Sequence, residues 1–279
     1  MKKVLKNTSS VSQEVRGLLR LVKCEFSKLK RKKFILLVVL SAFLFPVPLT
    51  ALMTMPQTAG QYDSKIDIFN DYFQFVMGYG VELLLPCIIG VIAAMLFFME
   101  RDNDTFKNLR TIPVTSTQMV LAKIIVLFFF GIIFSLTSAF ISILCGGVIA
   151  EVNSIAYRLF FALKMGIFVT AGTLPLVVLV VFFSKTYVFS VLLCVFYSVL
   201  SLTAESSFGA LPKLMCWLMP IPLTTLWSAG DLTSHGAMDS VGMLENLIPT
   251  TFQTITILTV IALLSVLLID FMYKKRGDE

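Results

Sequence analysis

A chain of 279 residues that is 57% hydrophobic, only 14% charged and of mean hydropathy +0.88 is not a water-soluble domain, in which about a quarter of residues carry charge. Its apolar residues come in continuous runs of about 20, the length a helix needs to cross the hydrocarbon layer, and not in the two-residue alternation of a barrel strand. The formal net charge of +6 is set at the N-terminus, where 11 of the 23 lysines and arginines lie within the first 33 residues. The fold class expected is an all-α membrane protein, because a helix satisfies its own backbone in lipid.

Taken in order, the chain opens MKKVLKNTSSVSQ, with no apolar run behind its lysines. The first long apolar stretch starts at Phe34 and is too long for a signal peptide, so the N-terminus is expected to stay in the cytoplasm. Within residues 11–33, Val11, Val15, Leu18, Val22, Phe26 and Leu29 recur at three- and four-residue steps, with Arg16, Arg20, Lys23, Lys28 and the basic run 30–33 on the remaining faces. That pattern predicts an amphipathic interfacial helix along the inner headgroups, apolar face down and basic face toward anionic lipid. Residues 1–33 are thus a cytoplasmic tail with an interfacial helix, and residues 34–273 a domain of six transmembrane helices.

The first span, 34–55, contains Pro46 and Pro48 and is expected to bend or unwind in its outer half. Residues 56–75 are polar, with Asp63, Asp67 and Asp71 against Lys65, and the second span follows at 76–99 with Glu82 and Pro86 inside it. A polar segment at 100–118 leads to the third span, 119–145, which Gly146-Gly147 should end. The fourth and fifth spans are read at 159–183 and 187–204. Residues 205–249 hold Pro212, Pro220, Pro222, Pro249 and both tryptophans, too broken to cross. Its part 214–226 is apolar enough to dip in as a re-entrant or interfacial helix, with Trp217 and Trp227 at the interface. The sixth span is 250–273, and 274–279 is a cytoplasmic tail.

With both termini cytoplasmic, 19 of the 23 basic residues lie inside and only Lys65, Arg158, Lys164 and Lys213 outside, as the positive-inside rule requires. The outer side, including the 205–249 region, is then net acidic. Such a surface attracts a cationic amphiphilic peptide, although positive-inside topology leaves it by default. Arg158 falls at the outer end of its span, and Lys164 can snorkel to the surface. Glu82, an ionisable group within a span, is either half of an ion pair or part of a transport path. Asp270 and Lys274 have the i,i+4 spacing of a pair.

Chemistry-bearing motifs are absent. The sequence has no GxxxxGK[ST], HExxH or GxSxG, and its single histidine, His235, cannot build a multi-histidine site. The five cysteines form no CxxC pair, and only Cys145 and Cys216 share the outer side, where one disulfide stays open. The chain is therefore expected to be non-catalytic.

The longest polar stretch on the basic side is ERDNDTFKNLRTIPVTSTQMVLAK, from Glu100 to Lys123. Asp102, Asn103 and Asp104 suit a helix N-terminus, and Phe106 and Leu109, three apart, would share one face of a helix that stops before Pro113. The ordered features are a basic amphipathic lead (LLRLVKCEFSKLKRKKF), six spans, Glu100 with Thr105, Lys107, Asn108 and Leu109, then Pro113 and Lys123. They resemble the membrane subunit of a type-2 ATP-binding-cassette exporter, and within that class the lantibiotic-immunity and bacitracin-resistance permeases. The resemblance covers essentially the whole chain and departs at Asn103-Asp104, where that family often has glycine.

The resemblance implies a coupling segment, 100–118, that docks in a cleft of a separate ATPase. The coupling residues are then Glu100, Asp102, Asp104, Thr105, Phe106, Lys107, Asn108, Leu109 and Pro113. It implies no cofactor in this chain, ATP and magnesium being held by two copies of the cytoplasmic ATPase. It implies a second permease chain, the same or related, in the lipid bilayer, a peptide antibiotic as substrate, no nucleic acid, and a bacterial cell membrane as the setting. Glu82 and Lys164 are the candidates for the transport path. A different reading keeps the docking segment without a path, as a non-transporting membrane anchor or sensor for a cytoplasmic partner. A membrane-embedded enzyme is the third.

Overall fold

The structure is a computed structural model that describes residues 2–31, 33–62, 64–102, 115–183, 187–238 and 242–277. Every regular element among them is helical. Six helical stretches are long and apolar enough to cross a membrane: Ile35–Met53, Lys65–Phe98, Ser116–Ile149, Ile155–Phe182, Tyr187–Ser206 and Thr251–Lys275.

Helix α1 (Lys2–Arg31) carries the amphipathic stripe. Leu29 is fully buried, Phe26 and Val22 pack on the core, and the Phe26 ring lies 5.7 Å from that of Phe130. Along this C-terminal part the stripe is covered by protein, where the sequence predicts headgroups. The first span is two helices, α2 (Phe34–Ser41) and α3 (Pro46–Met53). The break falls where Pro46 takes the first turn of α3, because a missing N–H costs nothing at a helix start. The Pro46 carbonyl accepts from Thr50 at 2.7 Å and from the Tyr72 hydroxyl at 3.0 Å, which ties the break to the next span.

After the short α4 (Pro56–Ala59) comes the main departure from the expected layout. The segment 56–75, read as polar and outside the second span, contains α5 (Lys65–Phe75). Ser64 caps it by accepting from the Asp67 amide at 3.1 Å, and Ile68, Phe69, Tyr72 and Phe73 form one buried face. The two acids of α5 lie off this face, Asp67 exposed and Asp71 half-buried. The rod continues as a π-helical segment, Val76–Leu83, into α6 (Leu84–Asp102). Pro86 explains the widened turn, since its ring cannot donate to the Glu82 carbonyl and would crowd it in a regular helix.

Helix α7 (Ser116–Ile149) begins at a capping box, Thr115 with Gln118. It runs through Gly146 and Gly147. A methyl at Gly146 would overlap the Phe69 ring, so this glycine serves a helix contact and not a helix end. Helix α8 (Ile155–Phe182) crosses α7 closely. A methyl on Gly166 would stand 3.0 Å from the Gly131 carbonyl and 3.1 Å from the Ile132 Cα, the close approach that small residues allow in lipid. Helix α9 (Tyr187–Ser206) is the fifth span. The region read as re-entrant folds as α10 (Lys213–Leu218) and α11 (Pro220–Ser234). A 3-10 turn, Gly242–Leu247, precedes α12 (Thr251–Gly277), the sixth span.

Helix α8 is the hub: 72% of its apolar window is buried, against 22% for each of α9 and α12, which turn apolar faces outward. Helix α11 packs on α8 with Ile221, Leu223, Leu226 and Trp227 buried, and Pro220 sits against Gly172, deep in the span. Trp227 stacks on Phe161 at 5.8 Å and meets Phe168 edge-on at 4.7 Å. Cys145 and Cys216 are separate thiols, so the outer disulfide left open by the sequence does not form.

Candidate functional site

Among the described residues, polar chemistry gathers at the root of the predicted coupling segment, in a cavity beside Glu82, and around Lys164 and Arg158. Glu100 and Asp102 belong to the last turns of α6. Asp104, Thr105, Phe106, Lys107, Asn108, Leu109 and Pro113 lie outside the described residues. The helices flanking them are joined at their bases. Lys123, fully buried near the start of α7, donates to the Leu96 carbonyl of α6 at 2.7 Å and stands 3.5 Å from the Glu25 carboxylate of α1. Its ammonium lies 5.3 Å from the centre of the Phe97 ring, and Phe97 meets Tyr273 of α12 at 6.2 Å. The second, third and sixth spans and the N-terminal helix thus meet around one buried lysine.

The second place is a cavity of about 350 Å³ between the π-helical segment, the end of α9 and the middle of α11. Glu82 is only 3% exposed there. It accepts from Thr225 Oγ1 at 2.6 Å and from Ser228 Oγ at 3.1 Å, and Glu205 Oε1 lies 2.9 Å from the same Thr225 hydroxyl. Among the described residues no basic side chain lines this cavity. Of the two alternatives open for Glu82 in the sequence, the ion pair is absent among the described residues and a position in a cavity is what the fold provides. Glu205 stands out in the sequence only as an outer acid. Thr225 and Ser228 carry a weak signal, two hydroxyls three apart on a helix that is otherwise apolar on that face.

Lys164 does not reach the cavity. It pairs with Asp231 of α11 at 2.8 and 3.0 Å, 4.8 Å from the Trp227 ring centre, instead of snorkelling. The Tyr157 hydroxyl donates to the same carboxylate at 2.9 Å, and the Tyr157 ring stacks on His235 at 4.2 Å. This cluster fastens α11 to α8. Arg158, which the sequence places at a wetted span end, is 1% exposed. Its guanidinium stacks on Phe69 and Phe73 at 4.3 and 4.6 Å and donates to Asn70 Oδ1 and Asn153 Oδ1, each at 2.6 Å. It is drawn in because α5 is a helix whose aromatic face covers it. Asp270 and Lys274 pair at 2.6 Å. Among the described residues no group of three or more His, Cys, Asp or Glu could hold a metal ion.

Residues 21–201, from the C-terminal part of α1 through most of α9, match the family described as ABC-2 family transporter protein. No curated protein matches the chain. A match of that extent, on a bundle of six membrane-length helices, carries an assignment: the chain belongs to the ABC-2 family of transporter proteins and is a multi-pass permease subunit of an ABC transporter, a component that works with an ATPase partner in a membrane.

Proposed function

We propose that the chain is the permease of an ATP-driven exporter that removes a membrane-active peptide antibiotic from the bilayer or its outer surface, giving the cell immunity or resistance. Two permease chains would surround one path, with two ATPase chains beneath and both termini of the permease in the cytoplasm. The observation that carries the coupling part is the buried Lys123, bonded to Leu96 across the bases of the two spans that flank residues 100–115. A push delivered to that connection reaches both spans, and through Glu25 the N-terminal helix, as one body. The charge asymmetry of the sequence and the acidic lining near α11 support a cationic peptide as substrate.

The test is a pull-down of the tagged chain in mild detergent, beside the Phe106→Asp, Leu109→Asp double variant. Each is assayed for ATP hydrolysis and for the peptide tolerance it confers on cells. The wild type is expected to bring down a nucleotide-hydrolysing partner. The variant should lose it, with binding weakened about a hundredfold by two buried charges. A well-folded wild-type chain that carries no ATPase sinks the exporter reading and leaves the membrane anchor or sensor ahead.

A further inference from the structure

The cavity beside Glu82 poses a question of charge balance. Two carboxylates, Glu82 and Glu205, converge on the single hydroxyl of Thr225, at 2.6 and 2.9 Å. A hydroxyl carries one hydrogen and serves one acceptor at a time. Among the described residues no lysine, arginine or histidine lines the space. Carboxylates held out of water without a counter-charge are costly, so the pair calls for a positive partner from outside the chain, or for a proton.

The walls choose between kinds of cation. Phe75 and Tyr79 stack with centroids 6.0 Å apart and planes 16° apart, both partly exposed at the cavity, and Met77, Leu202 and Leu232 complete an apolar lining. Aromatic faces attract an organic ammonium, and the aliphatic walls accept its methylene stem. A metal ion would find only two carboxylates, and among the described residues no group of three or more His, Cys, Asp or Glu could hold one. The volume of about 350 Å³ is at the small end for ligand pockets. It takes an ammonium with a few methylenes and not a folded peptide. Glu82 sits on the π-helical segment, the one stretch of the second span whose register differs from its neighbours, and such insertions recur at functional sites.

We propose that this cavity binds the primary ammonium group of a membrane-borne amphiphile, with Glu82 and Glu205 accepting its N–H donors and the Phe75–Tyr79 pair flanking its stem. The donor is either a lysine side chain of a cationic peptide or the headgroup of an aminophospholipid. The assignment rests on the permease reading for the source of the ligand but not for the binding itself.

The experiment uses the purified full chain in phosphatidylcholine nanodiscs, which offer no primary amine. It is titrated with a dansyl-tagged pentylammonium probe and, separately, with the hydroxyl analogue of that probe. Saturable fluorescence is expected for the amine only. Glu205→Gln should weaken it about tenfold, the scale of one charge-assisted hydrogen bond, and Glu82→Gln with Glu205→Gln should abolish it. Melting temperatures check that each variant is folded, and Tyr79→Leu, which leaves the carboxylates in place, should weaken the amine by a few-fold. Competition by phosphatidylethanolamine added to the disc assigns the lipid, and competition by a lysine-rich amphipathic peptide assigns the peptide. Equal saturation by amine and hydroxyl analogue, or unchanged amine affinity in a folded double variant, overturns the proposal and leaves the pair holding a proton only. The titration needs no ATPase, so loss of amine selectivity counts against this proposal alone, and the exporter reading stands or falls on the pull-down.

Discussion

Arg158 shows how far a single residue can be misread without its neighbours. In the sequence it opens a span and needs no partner. In the fold it is enclosed by Phe69, Phe73, Asn70 and Asn153, from an adjoining helix and the preceding turn. Its planar guanidinium is what this setting uses, Nη2 donating to both asparagine side chains and Nε to the Asn153 carbonyl, against two aromatic faces. Arg158→Ala is therefore expected to cost about 2–4 kcal/mol through the void and the unpaired asparagine oxygens, seen as a lower melting temperature in detergent. Arg158→Lys should recover little of it, because an ammonium cannot repeat the stacked, forked contact. A lysine variant that melts with the wild type would show that charge alone holds α5 to α8. Glu82 is the companion case, where the sequence flagged the right residue and could not supply Glu205 and Thr225, which lie 123 and 143 positions away.

Helices explain where the layout read from the sequence went astray. Two glycines in succession looked like the end of the third span, and Asp63, Asp67 and Asp71 marked 56–75 as a polar segment outside the second span. Each signal is real for an isolated helix and is overridden here by packing: Gly146 receives Phe69, and the acids of α5 lie off its buried face. The glycines of the α7–α8 crossing make the same point. Gly166→Leu is expected to cost about 1–3 kcal/mol or more, because its side chain would meet the backbone of Gly131 and Ile132, which cannot turn aside. Gly209→Ala, with nothing within 4 Å of its added carbon, should leave the melting temperature unchanged. If both variants melt alike, the crossing is not the tight contact described here. The same elements bear on coupling, since the α6 and α7 ends on either side of residues 103–114 are already joined through Lys123.

At the scale of the molecule, the bundle has a closed centre and open flanks. The second, third and fourth spans are the most buried, while the first span, α9 and α12 leave most of their apolar surface facing outward. An even number of crossings would place both termini on one side, and the proposal that this side is the cytoplasm rests on the distribution of lysine and arginine. In a background with the five cysteines replaced, Gly209→Cys should react with an impermeant maleimide added to intact cells, and Gly17→Cys only after lysis. Both positions are exposed, with open space around them. The reverse pattern would invert the topology and with it the direction assigned to transport.

What the sequence alone determined was everything that adds up along the chain. Continuous apolar length set the number of membrane-length helices and excluded a soluble domain, the proline-rich stretch after the fifth span marked a region of short helices, and charge bias set the expected orientation. These are local sums, and hydrophobic transfer is close to additive, so they survive folding. Only the tertiary structure decided which polar groups meet. It paired Lys164 with Asp231 and put Lys123 against Leu96 and Glu25. It buried Arg158 under two phenylalanines and left Glu82 and Glu205 facing a common cavity. The free energy of a buried charge depends on what lies within a few ångströms of it, and those neighbours come from helices far apart in the chain.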